Sequence, residues 1–393
     1  MVRWHPRLPA LLALLAVAAL ASAWPASAEV VSSVTLSGYG TVARAGDGAA
    51  VGAFLKGRLD LQSVGNENVK GLLQLDGWVG DGLVLDIPRA WIRVRLPGFR
   101  ITVGKTRVSW GEGFVFNAGD VVFGSLDPLS GDISAAALRD QTAWLTAVYI
   151  PLGIFSFLEA VALPFGVPSG AAQGLCDDLA ALLTPRPLDE LTGGLGLRGV
   201  FKAGGVKLEA GWYADWAARV QRPYLSLQGH LLADWNLSAA LAVPFDDPDW
   251  RGAGQWLAMS AGVFHLARLG GERSLALRLE GALRPGAAWS EASGAEAQPA
   301  GHLDAAGHLD APVYGLLLFP EAALALSSTL SLQLRALLSP VDGSGLILLG
   351  AAWSPYQGLT LSAYATAMAG DSDDLYAWDT WGPALTAGAE FVF

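Results

Sequence analysis

The chain has 393 residues, a formal net charge of −11 and a hydrophobic content of 52%. This acidic balance argues against a nucleic-acid partner, because neutralising phosphates requires an excess of Lys and Arg. A single cysteine, Cys176, excludes an intrachain disulfide, so the fold must be held by packing or by a closed backbone ladder.

The first 28 residues have the features of a secretory signal peptide. Arg3 and Arg7 precede the apolar segment Leu11–Ala23, and Ala26-Ser27-Ala28 has the small residues of a cleavage site. We predict cleavage after Ala28, which leaves one domain, 29–393. An uncleaved anchor helix is the alternative, but the apolar segment is short for a membrane span.

Alternation of apolar and polar residues with a period of two is the main signal after the leader. In 55–62 the odd-numbered residues are Leu or Gly and the even-numbered residues are polar. The same pattern recurs in 69–79, 89–96, 206–215, 275–284 and 385–393. Because the longest apolar stretches are interrupted by Pro and charged residues, this pattern favours a transmembrane antiparallel β-barrel over membrane helices.

We predict eighteen strands, and sixteen is the alternative because strands 6, 7, 14 and 15 alternate poorly. The predicted ranges are 33–44, 50–64, 69–79, 86–96, 98–108, 139–150, 153–163, 192–203, 205–216, 222–234, 235–244, 255–268, 273–285, 312–326, 328–339, 344–354, 357–368 and 381–393. All connectors after even-numbered strands are short, and the long ones follow odd-numbered strands. Outer-membrane barrels have short periplasmic turns and longer outer loops, so we expect both termini in the periplasm.

The sequence ends in a strand that closes on Phe391-Val392-Phe393. This ending resembles the C-terminal strand of bacterial outer-membrane proteins, which ends in Phe. The resemblance implies recognition of Phe393 by the barrel-assembly machinery. The apolar face of the strands predicts outer-membrane lipid as the second partner.

Basic residues dominate the polar face of predicted strands 2–5. Together with Trp91, which alternates with them, they are the candidate pore-lining residues: Lys56, Arg58, Lys70, Arg89, Trp91, Arg93, Arg95 and Arg100. A row of arginines on a low-dielectric wall raises the local concentration of anions. Lys105 and Arg107 break the alternation, which predicts either a bulge at Gly104 or a position above the lipid band.

The long segment after predicted strand 5 is acidic and should fold into the barrel. Its candidate constriction-loop residues are Trp110, Glu112, Asp120, Asp127 and Asp132. Folded against the basic face, this loop would narrow the pore and set up a transverse field. It would otherwise form a salt-bridge network that only holds the loop, and the two roles are compatible.

The same region carries a family resemblance. Gly104-Lys105-Thr106-Arg107-Val108-Ser109-Trp110-Gly111-Glu112, followed by Asp120-Val121-Val122, resembles the G-[RK]-x-x-x-x-W-G-E and D-V-V motifs of porin-like outer-membrane barrels. Some of those barrels serve polysaccharide export or capsule attachment. The segment also resembles general porins, whose constriction loop follows the fifth strand. Asp127-Pro128 departs from the N-P-x-D order of the motif, which leaves the exact family open.

These features predict a porin-like channel for small hydrophilic solutes, with anion preference as a further option. The alternative is a barrel plugged by its loops that anchors or guides an envelope polysaccharide. We expect no enzyme activity and no cofactor, since His230, which alternates with Ser226, is a lone His of a kind that lines pores far more often than it catalyses. The repeat AGHLDA at 300–311 brings two His and two Asp together as possible metal ligands, but a recent duplication explains it equally well, and its Gly and Ala residues give no rigid frame.

Overall fold

The structure is a computed structural model that describes residues 29–45, 48–64, 67–80, 82–124, 141–167, 193–245, 257–287, 289, 315–371, 374–376 and 382–393. These residues form eighteen strands and no α-helix. The strands are β1 Glu29–Ala45, β2 Gly48–Val64, β3 Val69–Val79, β4 Leu83–Leu96, β5 Phe99–Thr106, β6 Ala143–Pro151, β7 Phe157–Leu163, β8 Gly194–Ala203, β9 Val206–Asp215, β10 Val220–His230, β11 Asp234–Leu241 with its continuation Val243–Pro244, β12 Leu257–Gly270, β13 Arg273–Leu283, β14 Leu316–Ala325, β15 Leu330–Ser339, β16 Ser344–Tyr356, β17 Leu359–Ala369 and β18 Ala384–Val392.

All the strands belong to one closed antiparallel sheet. Each pairs with its neighbours in the sequence, and β18 returns to β1 in a register that runs from Thr35 opposite Val392 to Ala43 opposite Ala384. Closure gives every strand two partners, so the sheet has no edge. The predicted barrel of eighteen strands is confirmed, and the sixteen-strand alternative is wrong.

Side chains alternate between an apolar outer face and a polar inner face. In β13, Leu277 and Leu279 are exposed on the outside, whereas Glu280 points inward and is buried. In β9, Leu208 lies outside and Glu209 lies inside. An apolar outer band around a polar interior is typical of barrels that lie in lipid.

The connectors follow the predicted parity. Those after even-numbered strands are at most five residues long, the longest being Leu152–Ser156, and every long connector follows an odd-numbered strand. Strand ends agree with the predicted ones to within four residues. At the short-turn end, the backbones of Val34 and Phe393 exchange hydrogen bonds of 2.9 and 3.0 Å. The first strand therefore begins, and the last strand therefore ends, at the end of the barrel that carries the short turns.

The four strands with poor alternation share one structural feature. On β6, β7, β14 and β15, inward-facing apolar residues such as Leu145, Val161, Phe319 and Leu337 are almost fully buried. They belong to two apolar clusters that also contain residues of the connector after β5. Because both faces of these strands are apolar, their hydropathy has no period of two. In the described ranges, no helix is long and apolar enough to cross a membrane.

Candidate functional site

The chain turns into the barrel directly after β5. Gly104 has a φ of 133°, and a Cβ there would lie 2.1 Å from the carbonyl oxygen of Ala90, so only glycine fits. Beyond this irregularity, Lys105 is buried with its ammonium 3.5 Å from the Asp86 carboxylate. We call the segment that follows, residues 107–124, the inner loop.

Glu209 on β9 holds the start of the inner loop. Its carboxylate is 1% exposed and accepts hydrogen bonds from the Gly111 backbone N–H at 2.7 Å and from the Tyr224 hydroxyl at 2.6 Å. Arg198 completes the charge balance with an ion pair of 2.9 Å. All three donors bind Glu209 Oε1, and these contacts fix the position of the loop backbone.

Trp110 fills the space between the loop and β7–β10. Its ring is fully buried, and its Nε1 donates to Glu159 Oε2 at 3.1 Å. Arg198 pairs with the same Glu159 oxygen at 2.7 Å. A Cβ at Gly196 would lie 2.4 Å from the Trp110 ring, so the wall carries glycine where the indole approaches it.

Glu280 on β13 holds the tip of the inner loop. It is 3% exposed and accepts three consecutive backbone N–H groups, from Phe114 and Val115 at 2.8 Å and from Phe116 at 3.0 Å. The Arg278 guanidinium lies 3.7 Å from the centroid of the Phe114 ring. Glu209 on β9 and Glu280 on β13 lie four strands apart, so the loop runs along the inside of this part of the barrel from one to the other.

Further hydrogen bonds lie between these two anchors. Ser260 Oγ accepts the Ala118 N–H at 2.9 Å, and Ser238 Oγ donates to the Glu112 carbonyl oxygen at 3.3 Å. Arg222 donates to the carbonyl oxygen of Val121 at 3.3 Å. The strands β7–β14 thus contact both ends and the middle of the inner loop, and we call them the holding wall.

The structure places the predicted constriction residues against the holding wall or within the loop. Glu112 forms an ion pair with Lys207 of β9. Asp120 is buried and pairs with Arg107 at 2.6 Å, at the root of the loop. Asp127 and Asp132 lie outside the described residues. Among the described residues, the loop acids therefore meet cations other than those of β2–β5.

The predicted pore-lining residues lie together on β2–β5, and we call this surface the basic face. Near one end of it, Asp76 binds both Arg58 at 2.9 Å and Lys56 at 3.3 Å. The side chains of Lys70, Arg89 and Arg95 form no ion pair with the described part of the chain, and Lys70 and Arg95 are exposed. Arg93 stacks on Trp91 at 4.7 Å, and Arg100 stacks on Tyr149 at 4.3 Å. A solute in the lumen would meet an excess of positive charge here.

The residues that anchor the loop were not among the sequence candidates. Glu209, Glu280 and Arg198 each occupy an ordinary polar position in an alternating strand, and Glu159 lies on the poorly alternating β7. The poor alternation of β6, β7, β14 and β15 was the available signal, since it marks strands whose inner face contacts apolar loop residues. No group of three possible metal ligands occurs in the described ranges, and the AGHLDA repeat lies outside them.

A closed sheet of eighteen antiparallel strands with a long loop inside its lumen defines a porin-type β-barrel. No protein-family model matches the chain, and no curated protein sequence matches it. Among solved structures, it is similar to OccAB4 of Acinetobacter baumannii, with a TM-score of 0.56 and 9% identity over 93% of this chain and 98% of the other. It is also similar to Pseudomonas aeruginosa OprD, with a TM-score of 0.54 and 11% identity over 93% and 95% of the two chains.

A third structure, Pseudomonas aeruginosa OccD3 (OpdP), has a TM-score of 0.51 and 11% identity over 92% of this chain and 91% of the other. These proteins are outer-membrane porins. At such low identity the likeness shows the fold, which is the porin barrel.

Proposed function

We propose that the protein is an outer-membrane channel through which small hydrophilic solutes diffuse, with a preference for anions and with both termini in the periplasm. The observation that carries this proposal is that two surfaces of the lumen differ in what their charged side chains contact. The inner loop is bonded to the holding wall, whereas the basic face keeps cations without an acidic partner among the described residues. A passage between the loop and the basic face would concentrate anions. The porin fold supports the proposal.

In this reading, Lys70, Arg89, Arg93 and Arg95 attract and orient the solute, and Trp91 supports the guanidinium of Arg93. The described part of the inner loop limits the width of the passage. Glu112 and Asp120 act through their ion pairs with Lys207 and Arg107, which keep the loop in place. Their proposed part in the constriction is therefore positional.

The test is a planar-bilayer recording of the refolded chain under a salt gradient. We expect stable current steps and a reversal potential with the sign of anion preference. A folded, heat-modifiable barrel that passes no current would overturn the proposal. That result would favour a plugged barrel that anchors or guides an envelope polysaccharide, a function to which the anchoring of the loop at both Glu209 and Glu280 also points.

A further inference from the structure

A cavity of about 180 Å³ lies under the root of the inner loop. Its sides come from β4–β8 and its roof from Thr106 to Ser109 of the loop root. The space corresponds to on the order of six water molecules, at roughly 30 Å³ each. It is polar, and its lining includes four arginines and one carboxylate: Arg93, Arg100, Arg107, Arg198 and Glu159.

The four arginines differ in their partners. Arg107 and Arg198 form ion pairs of 2.6 and 2.7 Å with buried carboxylates. Arg93 and Arg100 form no ion pair with any described carboxylate. Two neighbouring guanidinium groups that share a partly enclosed space repel one another and have lost part of their hydration. An anion between them would offset both costs.

Arg93 and Arg100 are also held in fixed orientations. Arg93 stacks on Trp91 and donates its Nε hydrogen to Thr102 Oγ1 at 3.1 Å, while Arg100 stacks on Tyr149. Stacking uses the face of a guanidinium and leaves its in-plane donors available for a planar or tetrahedral oxyanion. Thr102 Oγ1 accepts from Arg93, so its own hydrogen can be donated to a ligand.

We propose that this cavity is a binding site for one small oxyanion, with phosphate or short-chain carboxylate chemistry, held between Arg93 and Arg100 with Thr102 as an additional donor. The volume is large enough to admit such an anion. The site lies beside Ser109, whose carbonyl oxygen accepts a 2.7 Å hydrogen bond from Arg198, so the anion would sit against the root of the loop. The proposal does not rest on conduction, because an occluded barrel would hold the anion as well.

Isothermal titration of the refolded chain in detergent tests this site, with inorganic phosphate and acetate as separate probes at low chloride. We expect saturable binding of at least one probe with one site per chain. Arg93→Gln and Arg100→Gln should each weaken that binding about tenfold or more, since each removes charge-assisted hydrogen bonds. Which probe binds distinguishes phosphate from carboxylate chemistry.

The matched control is Lys202→Gln, which removes a positive charge from β8, a strand that contributes Arg198 to the cavity, at a position that does not line it. It should bind like the unmodified chain. Heat-modifiable gel mobility shows whether each variant is folded. Where an Arg→Gln variant does not fold, the Arg→Lys variant at the same position is tested instead. Lys keeps the charge without the planar fork, so it should weaken binding by a smaller factor. Absence of saturable binding, or equal loss in Lys202→Gln, would overturn the proposal.

Discussion

The basic face on β2–β5 and the holding wall on β7–β14 both direct charged side chains into the lumen, but those charges meet different partners. On the holding wall, Glu209 and Glu280 are buried and use their oxygens on backbone N–H groups of the inner loop. On the basic face, Asp76 forms ion pairs with Lys56 and Arg58. Other cations on this face, such as Lys70 and Arg95, form no ion pair with a described carboxylate. The difference separates the groups that hold the loop from those available to a solute.

The net charge of a segment is a poor guide to the residues that it contacts. The acidic residues of the loop suggested attraction to the basic face. In the described part of the loop, the acids pair with Lys207 and Arg107, while acids of the opposite wall bind the loop backbone. A carboxylate that accepts several N–H groups acts as a structural clamp, and its charge then contributes less to the field in the lumen.

The largest expected effect on conductance comes from breaking the clamp at the loop tip. Glu280→Gln replaces one acceptor oxygen with an NH₂ group that faces backbone donors. A buried donor left unsatisfied costs about 1–3 kcal/mol. We expect the tip to leave the wall, so that single-channel conductance rises severalfold and protease cuts within 107–124.

The control for this change is Glu272→Gln in the short turn before β13, where the carboxylate is exposed and accepts a hydrogen bond from the Ser328 backbone N–H. It should leave conductance and proteolysis unchanged. A Glu280→Gln barrel with normal conductance and an uncut loop would show that the tip is held by other contacts.

Trp110→Ala should be the most destabilising single truncation of the loop. The indole is fully buried, and removing a buried Trp typically costs about 3–5 kcal/mol. Urea unfolding in lipid vesicles measures the change. Trp353→Ala, which removes an equally large side chain that is 49% exposed, should cost clearly less. Equal losses in the two variants would contradict tight packing of the loop on β7–β10.

Removing charge from the basic face should change selectivity more than stability. Arg93→Ala combined with Arg95→Ala should reduce the ratio of anion to cation permeability about twofold or more, because wall charges set the local ion concentration. Reversal potentials measure this ratio. Lys202→Ala with Arg273→Ala makes the same change in net charge outside the basic face and should leave the ratio nearly unchanged. An unchanged ratio in the first variant would refute the role of the basic face.

The smallest effect concerns Asp342, in the turn between β15 and β16. Burial raises its pKa, but hydrogen bonds from the backbone N–H groups of Leu375 and Ser344 outweigh burial and lower the pKa below the usual 3.8. A lowered pKa stabilises the folded state above the unfolded pKa, and the contribution is lost as the pH falls through the folded value.

Asp342→Asn should therefore destabilise the barrel slightly at pH 7 and by less at a strongly acidic pH, because the contribution of the charged carboxylate is lost as the pH falls through the folded pKa. Urea unfolding at the two pH values measures the difference. The exposed Asp371→Asn provides the control and should be neutral at both. A constant difference across this range would mean that the charge of Asp342 is not what stabilises the turn.

The strands and their connectors could be predicted because each depends on local pattern. Alternation of apolar and polar residues identified strands such as β9 and β13. The lengths of the connectors showed which end of the barrel carries the short turns. The inward path of the loop could be inferred from its position after β5. Its partners could not be, because a contact such as that of Val115 with Glu280 joins distant residues and exists only once the barrel has closed.

One part of the missing information was nevertheless present in the sequence. The poor alternation of β6, β7, β14 and β15 looked like weak evidence for strands. In the structure it arises because Leu145, Val161, Phe319 and Leu337 point inward and pack in the clusters that hold the loop. An apolar inner face in a barrel that is otherwise polar inside indicates where an internal segment docks.

The separation of the two walls is tested most directly by recording Glu280→Gln and the Arg93→Ala, Arg95→Ala double variant in the same salt gradient. Conductance and reversal potential are measured for each against the unmodified chain. We predict that Glu280→Gln raises conductance without reducing anion preference, and that the double variant reduces anion preference with little change in conductance. If the two variants change both quantities in the same way, the holding wall and the basic face do not have separate roles.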